Sequence, residues 1–401
     1  MIAKSANVSV GAVCAGTPLQ MGEQQGRQLR HEIFEASRLV VQLEAFQLLK
    51  PRLLSMALFR KLAEMKTFRM LMEPLRDTLP SMSDRLLGIA AGAGVRPQSL
   101  YLLNSLEAVM SSADSCSVVP PLCGCSAVSI TGSRSANGEP MIARNFDYLP
   151  LIEPLYVIRD CHPQGGFRSL EFTTAPQCGA VDGVNERGLC ITYNYAFVSD
   201  EAELGPPISM AVAEALGRCA TVEEAADFIA ATPRWGGGML MLADAAGDIA
   251  ALELSNTQCC LRRPNSGGGI LFHTNQFHTE TMKQIQVSPR AIFADTAPQV
   301  VRGRRVLESS ERRDAQFEQA ISQTETFDAD SIAALMSSHG PDGVGSENTI
   351  CMHGPYWETN ACLQLFPRTC SMRVTFNSAC NATYADLQLQ DSKRVSLAVG
   401  K

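Results

Sequence analysis

The chain has no large excess of charge of either sign. Its 401 residues carry 34 basic and 41 acidic side chains, which gives a formal net charge of −7. Many proteins that bind nucleic acid or an anionic membrane surface carry a net positive charge, which attracts these polyanions over long distances. A chain with a net charge of −7 has no such long-range attraction. We therefore expect a small-molecule partner, with no nucleic acid and no membrane.

Long hydrophobic runs are also missing. No segment approaches the roughly 20 apolar residues that a membrane helix needs, and the short candidate from Val8 to Ala15 is interrupted by Ser9 and Gly11. We predict neither a membrane span nor a cleaved signal peptide, and expect a cytoplasmic protein. The length fits one large domain or two closely joined domains.

Cysteine spacing typical of a metal site is absent as well. The 14 cysteines are scattered through the chain, whereas a disulfide framework packs them into a short sequence. The close pairs are Cys123 with Cys125 and Cys259 with Cys260, and neither has the CxxC spacing or nearby histidines of a tetrahedral zinc site. We expect mostly buried thiols in a reducing compartment, and assign no metal.

The first 124 residues have a helical pattern. Apolar residues at helical spacing predict helices over Met21 to Leu49, Arg52 to Lys66, Ser81 to Ala93 and Gln98 to Ser111. A serine-rich, proline-containing stretch from Ser112 to Pro121 fits neither a long helix nor a packed strand. We interpret that stretch as a linker that leads into Cys125.

After Cys125 the pattern changes to short strands. Asn137 and Gly138 predict a hairpin between strands at Ser126 to Thr131 and Met141 to Phe146. Further strands are predicted at Tyr156 to Arg159, Ser169 to Thr173, Leu189 to Tyr195, Met239 to Asp244, Ile249 to Leu254, Ile270 to Thr274, Ala361 to Phe366 and Met372 to Phe376. Two helical blocks interrupt them, one of Pro207 to Cys219 with Val222 to Thr232 and the other of Pro298 to Ala320 with Ser331 to Ser338. Hairpins mixed with helices in blocks favour an α+β layered sandwich.

Ten short segments carry a resemblance to a known family. They are Gly16 to Gly22, Gly26 to Leu29, Gly88 to Gly94, Leu103 to Glu107, Gly124 to Ser126, Arg144 to Asp147, Gly183 to Leu189, Asn194, Leu242 to Gly247 and His273 to Asn275. In order and spacing the chain resembles the acyl-coenzyme A:6-aminopenicillanic acid acyltransferase family, relatives of the choloylglycine hydrolases within the N-terminal nucleophile hydrolases. The resemblance implies a four-layer αββα sandwich of antiparallel sheets with a helical N-terminal segment.

The resemblance also implies a precursor that cuts itself before its nucleophile. Here the cut would fall between Gly124 and Cys125, leaving a helical small subunit of residues 1–124 and a catalytic large subunit of residues 125–401. Gly124 has no Cβ and can hold the strained backbone of an N-to-S acyl shift, and Cys125 supplies the thiol. The freed α-amine, with a reference pKa of about 8 against about 8.5 for the thiol, can take the thiol proton without a catalytic histidine.

Five further catalytic residues are implied by the same resemblance. Arg144 would favour the thiolate and help place the substrate, and Asp147 would orient and charge-balance the α-amine. Asn194 and Asn275 would donate hydrogen bonds to the oxyanion. Arg302 aligns best as a distal site arginine, although Arg304 and Arg305 lie beside it at the start of a predicted helix.

The predicted substrate-binding residues are Tyr148, Tyr193, Tyr195, His273 and Phe277. A thioester on Cys125 would be released by water in an amidase and by an amine in an acyltransferase, and the sequence leaves both open. The expected partners are a small N-acylated amine or other acyl donor and the chain's own N-terminal fragment. We expect no cofactor, with acyl-coenzyme A open as a co-substrate. The alternatives are an uncleaved enzyme that uses Cys125 for another acyl transfer or a cyclisation, and a catalytically silent binding relative.

Overall fold

Two stacked β-sheets form the centre of the protein. The computed structural model describes residues 8–106, 123–201, 204–265, 268–295 and 297–389, so the predicted linker from Ser112 to Pro121 and the end of the predicted helix after residue 106 lie outside the described residues. The strands are β1 (Val10–Gly16), β2 (Cys123–Ile130), β3 (Met141–Tyr148), β4 (Tyr156–Pro163), β5 (Ser169–Thr174), β6 (Asp182–Asn185), β7 (Cys190–Ala196), β8 (Gly237–Ala243), β9 (Ile249–Leu254), β10 (Cys259–Arg262), β11 (Ile270–His273), β12 (Glu358–Phe366), β13 (Ser371–Thr375) and β14 (Ala385–Gln388). One sheet has eight strands in the order β1-β4-β5-β6-β7-β8-β9-β10, and the other has six in the order β11-β2-β3-β12-β13-β14.

Helices cover the outer faces of both sheets. They are α1 (Pro18–Gln28), α2 (Arg30–Leu39), α3 (Glu44–Leu48), α4 (Met56–Thr78), α5 (Pro80–Ala93), α6 (Pro97–Asn104), α7 (Ile208–Arg218), α8 (Val222–Ala231), α9 (Glu280–Lys283), α10 (Glu308–Gln323) and α11 (Ala329–Met336). Strands β2 and β3 face β7 and β8 across the interface, while α7 and α8 lie against the larger sheet and α10 and α11 against the smaller. The predicted α+β sandwich is confirmed. None of the described helices combines the length and apolar composition needed to cross a bilayer.

The N-terminal segment adds a strand to the larger sheet, whereas the sequence predicted only helices there. Strand β1 pairs in parallel with β4, from Val10 opposite Ile158 to Gly16 opposite Pro163. The described part of the segment is therefore not purely helical, and this sheet is not wholly antiparallel. The strand escapes a sequence reading because Gly11 and Gly16 dilute its apolar pattern.

Helices α1 and α5 touch backbone to backbone. A Cβ built at Gly22 would lie 2.1 Å from the carbonyl oxygen of Arg85, and one built at Gly88 would lie 2.2 Å from that of Leu19. Gly26 and Gly92 are equally crowded one turn further along. Several glycines in the family-like segments therefore permit close helix packing.

Three predicted helices differ from the structure. The helix predicted over Arg52 to Lys66 starts at Met56 and continues to Thr78 as α4. The helix predicted over Met21 to Leu49 is divided among α1, α2, a short 3₁₀ turn and α3, and the first break comes at Leu29, whose φ is −107° and ψ is 26°. The helix predicted from Pro298 begins only with α10, since residues 298–307 form turns. This places Arg302, Arg304 and Arg305 in an irregular segment.

Candidate active site

Cys125 lies buried at the start of β2, with its side chain between the two sheets. Antiparallel pairing sets Cys125 opposite Phe146, and Ala127 opposite Arg144. Side chains of opposed residues share a face, so Cys125 and Arg144 point the same way. Arg144 Nη2 donates to Cys125 Sγ at 2.8 Å, so a guanidinium charge lies directly beside the sulfur.

Arg144 is held by groups of the larger sheet. Its Nη1 donates to Asp182 Oδ2 at 2.9 Å, its Nη2 to the Tyr193 carbonyl at 2.8 Å, and its Nε lies 3.4 Å from Asn194 Oδ1. Burial raises the pKa of Asp182 to about 6, against the lowering effect of the Arg144 charge. Asp182 is not among the site residues predicted from the sequence. The sequence indicates it only through its position directly before Gly183 to Leu189, one of the segments that carry the family resemblance.

Asp147 projects from β3 on the opposite face from Cys125. Thr359 Oγ1 donates to Asp147 Oδ1 at 2.5 Å, and Arg313 Nη1 lies 3.6 Å from Asp147 Oδ2. Burial raises the pKa of Asp147 to about 6, and the neighbouring Arg313 and Thr359 oppose that rise. Within the described part of the chain, Oδ2 accepts no hydrogen bond.

The predicted scissile bond joins Gly124 to Cys125 within a regular strand. Gly124 is paired opposite Asp147, and its φ is not among the positive glycine values, so left-handed strain of the kind expected from the sequence is not seen. What the missing side chain provides is space, since a Cβ at Gly124 would lie 3.3 Å from Met352 Cε.

The two predicted asparagines both reach this centre. Asn275 Oδ1 accepts the Cys125 N–H at 2.9 Å, while its Nδ2 donates to the Tyr195 carbonyl at 2.8 Å. Asn194 Nδ2 donates to the Thr274 carbonyl at 3.1 Å and lies 3.2 Å from His273 Nδ1. The acceptor on one side of Asn194 and the Arg144 donor on the other fix the orientation of its amide.

Arg313, which the sequence analysis missed, is the distal arginine of this cluster. From α10 its Nη1 donates to the Cys125 carbonyl at 2.6 Å and to Ser126 Oγ at 2.9 Å, and its Nη2 donates to Asn275 Oδ1 at 2.9 Å. Arg313 is almost wholly buried. Its neighbour Ser309, one helical turn earlier, accepts from its Nε at 3.1 Å.

The prediction that Arg302 is the distal arginine of the site is wrong. It is exposed, and its Nη2 donates to the Ala297 carbonyl at 2.9 Å. Arg304 and Arg305 pair with Glu347 and Glu311. The reason is local: α10 starts after these arginines, so they lie in the turns before it and not on the helix face that meets β2.

A cleft with a mostly apolar lining reaches the cluster at Arg144. Its empty volume, counted out to solvent, is about 1070 Å³, and Arg144, Tyr148, Tyr193 and Tyr195 are among its walls. One wall comes from the segment before Cys125, through Ala36, Val40, Leu43, Leu103, Asn104 and Leu106. The three predicted tyrosines therefore do line a pocket at the site.

His273 and Phe277 do not line that cleft. His273 is buried, and burial followed by the nearby Arg262 charge lowers its pKa well below the ordinary value, so the imidazole is neutral. Phe277 packs in a separate apolar cluster with Ala196, Met239 and Met282. His273 is the last residue of β11 and Phe277 lies four residues after it, and both side chains are buried. The site itself contains no cluster of metal-ligand side chains among the described residues.

Comparison with solved structures finds similarity at low identity. The chain is similar to a Caenorhabditis elegans N-acylethanolamine-hydrolyzing acid amidase ortholog, with 15% identity, a TM-score of 0.44 and coverage of 66% of this chain and 100% of that chain. It is similar to penicillin V acylase from Agrobacterium tumefaciens, with 16% identity, a TM-score of 0.40 and coverage of 66% and 86%. It is also similar to a mutant of conjugated bile acid hydrolase from Clostridium perfringens, with 13% identity, a TM-score of 0.36 and coverage of 66% of this chain and 92% of that chain. At these identities and TM-scores the similarity carries no information about substrate.

Comparison with sequence-family models identifies the family of the chain. No curated protein sequence matches the chain significantly. A family model does match, over residues 133–369, which is more than half of the 401 residues. The matched part contains Arg144, Asp147, Asn194, Asn275 and Arg313 and begins just after Cys125. The chain belongs to the acyl-coenzyme A:6-aminopenicillanic acid acyl-transferase family.

Proposed function

We propose that the protein is a cysteine amide hydrolase or acyltransferase that cuts itself between Gly124 and Cys125 and then uses Cys125 as its N-terminal nucleophile. Family membership supports the broad class, an enzyme of acyl transfer or amide hydrolysis. The observation that carries the finer proposal is the 2.8 Å contact between Arg144 Nη2 and Cys125 Sγ, beside an Asn275 oxygen that already binds the Cys125 nitrogen at 2.9 Å.

Self-cleavage starts with attack of Cys125 Sγ on the carbonyl carbon of Gly124. The C–N bond breaks, the Cys125 nitrogen takes up the proton lost from Sγ and leaves as an amine, and the Gly124 carbonyl becomes a thioester on Sγ. Water then releases the Gly124 carboxylate and regenerates the thiol. The cysteine is held at both backbone ends for this step, at its N–H by Asn275 and at its carbonyl by Arg313 at 2.6 Å.

The new α-amine is the base in the catalytic cycle. It takes the Sγ proton, the thiolate attacks the substrate carbonyl, and the resulting ammonium protonates the leaving amine. An ammonium has more N–H donors than the amide it replaces, and Asp147 Oδ2, across the ladder from Gly124, has an unused acceptor among the described residues. Asp147 would thus balance the charge, while Asn275 Oδ1 keeps its contact with the nitrogen.

The two asparagine amides would serve the oxyanion unequally. Asn275 Nδ2 has one N–H on the Tyr195 carbonyl, which leaves its second hydrogen for the substrate. Asn194 gives one N–H to Thr274 and directs the other towards His273 Nδ1, so it would turn the second hydrogen from the neutral histidine to the oxyanion. Removal of one such donor typically costs about 100-fold or more in rate.

The cleft points to a substrate with an apolar acyl group. Its lining is mostly aliphatic and aromatic, and Arg144 joins that lining to Cys125. An acyl chain would lie in the apolar part with its carbonyl at Sγ. The amine that leaves, and the choice between water and an amine as acceptor, would be decided at the open end of the cleft.

Intact mass and N-terminal sequencing test the proposal. Wild type should yield two fragments, the larger beginning with Cys125, and Cys125→Ala should remain whole. Cys259→Ser is the matched control, because Cys259 is exposed on β10, and it should be cleaved like wild type. An intact wild-type chain would support instead an uncleaved enzyme that uses Cys125 with another base.

A second experiment separates an enzyme from a silent binding relative. Cleaved protein is incubated with p-nitroanilides of increasing acyl length and quenched with acid. We expect a mass increase of one acyl group on the fragment that begins with Cys125, with kcat/KM rising with chain length. Saturable binding of these compounds with no acylated fragment and no p-nitroaniline release would contradict the enzymatic proposal.

A further inference from the structure

Four side chains with metal-ligand atoms meet outside the Cys125 site. The ligand atoms of His339, Cys351, His353 and Cys380 all lie within 4.8 Å of one another. His353 Nε2 is 3.2 Å from His339 Nε2, 3.4 Å from Cys351 Sγ and 3.4 Å from Cys380 Sγ. Three ligand atoms from different parts of the chain thus converge on one ring nitrogen.

Hydrogen bonds alone do not account for this convergence. A histidine Nε2 has either one N–H or one lone pair, so it can complete one good hydrogen bond and not three. A cation at the centre, by contrast, uses one lone pair from each of the four atoms at once. The arrangement therefore fits the donor set of a metal ion better than a hydrogen-bond network.

The distances fit a tetrahedral ion. Zinc lies about 2.0–2.1 Å from histidine nitrogen and about 2.3 Å from thiolate sulfur, which in a tetrahedron puts two nitrogens about 3.3 Å apart and a nitrogen and a sulfur about 3.6 Å apart. The observed separations are 3.2 Å between the two nitrogens and 3.4 Å from His353 to each sulfur. The three separations from His353 need only a small expansion, and the other ligand atoms, all within 4.8 Å of one another, need to move closer together.

The surrounding backbone holds the cluster together. The Cys351 N–H donates to the Ser338 carbonyl at 3.0 Å, which fixes that cysteine beside His339. A Cβ at Gly345 would lie 2.4 Å from His353 Cδ2, so the imidazole packs directly on a glycine backbone. Cys380 lies in the 3₁₀ turn Ala379–Asn381, and its sulfur contacts Asn381 Nδ2 at 3.6 Å and Ser378 Oγ at 3.5 Å.

We propose that His339, Cys351, His353 and Cys380 form a structural zinc site. Two imidazoles with two thiolates and no open position make a closed tetrahedral set of the structural type. Spacing in the sequence gives little sign of it, because only Cys351 and His353 are close together, which is why the sequence predicted no metal.

The site braces the loop behind Asp147. Met352, between two of the ligands, donates its N–H to Thr359 Oγ1 at 2.7 Å. Thr359 Oγ1 in turn donates to Asp147 Oδ1 at 2.5 Å. An ion that fixes Cys351 and His353 therefore fixes the partner of the Asp147 carboxylate.

Zinc binding is tested on tag-free, full-length Cys125→Ala protein, so the result does not depend on self-cleavage. The reduced protein is equilibrated with Zn²⁺, freed of unbound metal and analysed by plasma mass spectrometry. We expect about one Zn²⁺ per chain, and the same with Cys259→Ser added as a control for an exposed cysteine. With Cys380→Ser added instead, affinity should fall at least tenfold.

Cobalt provides a second readout. Bound Co²⁺ should give the ligand-field bands of a tetrahedral ion and a thiolate charge-transfer band, and Cys380→Ser should weaken the latter. The proposal is overturned if the parent retains no zinc, if Cys380→Ser retains zinc as tightly as the parent, or if Cys351 and Cys380 form a disulfide in the zinc-treated protein.

Discussion

At the scale of single residues, two arginines near in sequence have opposite surroundings. Arg313 is buried, and its guanidinium donates to the Cys125 carbonyl, Ser126 Oγ and Asn275 Oδ1. Arg302 is exposed, and its guanidinium donates to the Ala297 carbonyl. We predict that Arg313→Ala slows self-cleavage about 100-fold or more, because the reacting cysteine loses its fixed position. Arg302→Ala should change the rate less than twofold.

Time-resolved gels of freshly refolded precursor measure both rates, with circular dichroism to verify folding. Equal slowing by the two substitutions would restore Arg302 as the site arginine. If Arg313→Ala does not fold, Arg313→Lys keeps the charge but loses the forked geometry and should still be slower than Arg302→Ala.

Asp147 gives a pH prediction. Burial raises its pKa to about 6 in the folded chain, from an ordinary value of 3.8. A carboxyl whose pKa is raised by folding favours the folded state below the ordinary pKa, and this contribution is lost as pH rises through the folded pKa. In the uncleaved Cys125→Ala background, the free energy of unfolding relative to Asp147→Asn should therefore fall between pH 4 and pH 6.

The expected fall is on the order of 1–3 kcal/mol, and above about pH 7 the difference should be constant. Urea unfolding at several pH values gives both free energies. A difference that does not vary with pH would mean that Asp147 has the same pKa in the folded and unfolded chains.

At the scale of secondary-structure elements, the contact of α1 with α5 is the most demanding. Because a Cβ at Gly22 would lie 2.1 Å from a backbone oxygen of α5, Gly22→Ala must separate the helices. We predict a loss of about 2 kcal/mol or more in the free energy of unfolding. Denaturant unfolding measures it, again in the uncleaved background.

Gly217→Ala on α7 is the matched helix control. A Cβ there meets its nearest atom, Pro163 Cγ, at 3.9 Å, so alanine fits and should raise stability by about 0.5–1 kcal/mol through its helix propensity. A loss of stability at both positions would show that crowding at α5 is not the cause.

The sequence predicts elements and residues that depend on local pattern. Strands β2 and β3 follow from their composition and from the hairpin signal at Asn137 and Gly138, and the family resemblance singles out Cys125, Arg144 and Asp147 on them. Arg313 could not be predicted this way, since its contact with β2 depends on how α10 packs across the smaller sheet. Asp182 comes from the other sheet and escapes for the same reason.

At the scale of the whole molecule, the segment before Cys125 is part of the fold and not a detachable leader. Its β1 pairs with β4, and its helices supply one wall of the cleft. Separation would expose a strand edge and much apolar surface. After self-cleavage we therefore predict that the two fragments elute together in size-exclusion chromatography and unfold in one thermal transition.

Denaturing gels across the elution peak, together with calorimetry, check this prediction. Uncleaved Cys125→Ala should elute at the same volume, since the cut removes one bond and no packing. Elution of the two fragments in separate peaks without denaturant would contradict it.

Part of the cleft wall and the groups proposed to react lie on opposite sides of the proposed cut. Cleft residues such as Val40, Leu43 and Leu103 precede the proposed cut, while the proposed nucleophile and its hydrogen-bond partners follow it. Preference for one acyl group over another can therefore change in part through substitutions in the earlier fragment, while Tyr148, Tyr193 and Tyr195 on the same cleft belong to the later one. Chimeric proteins that exchange only residues 8–106 between relatives should shift acyl selectivity without changing the reaction.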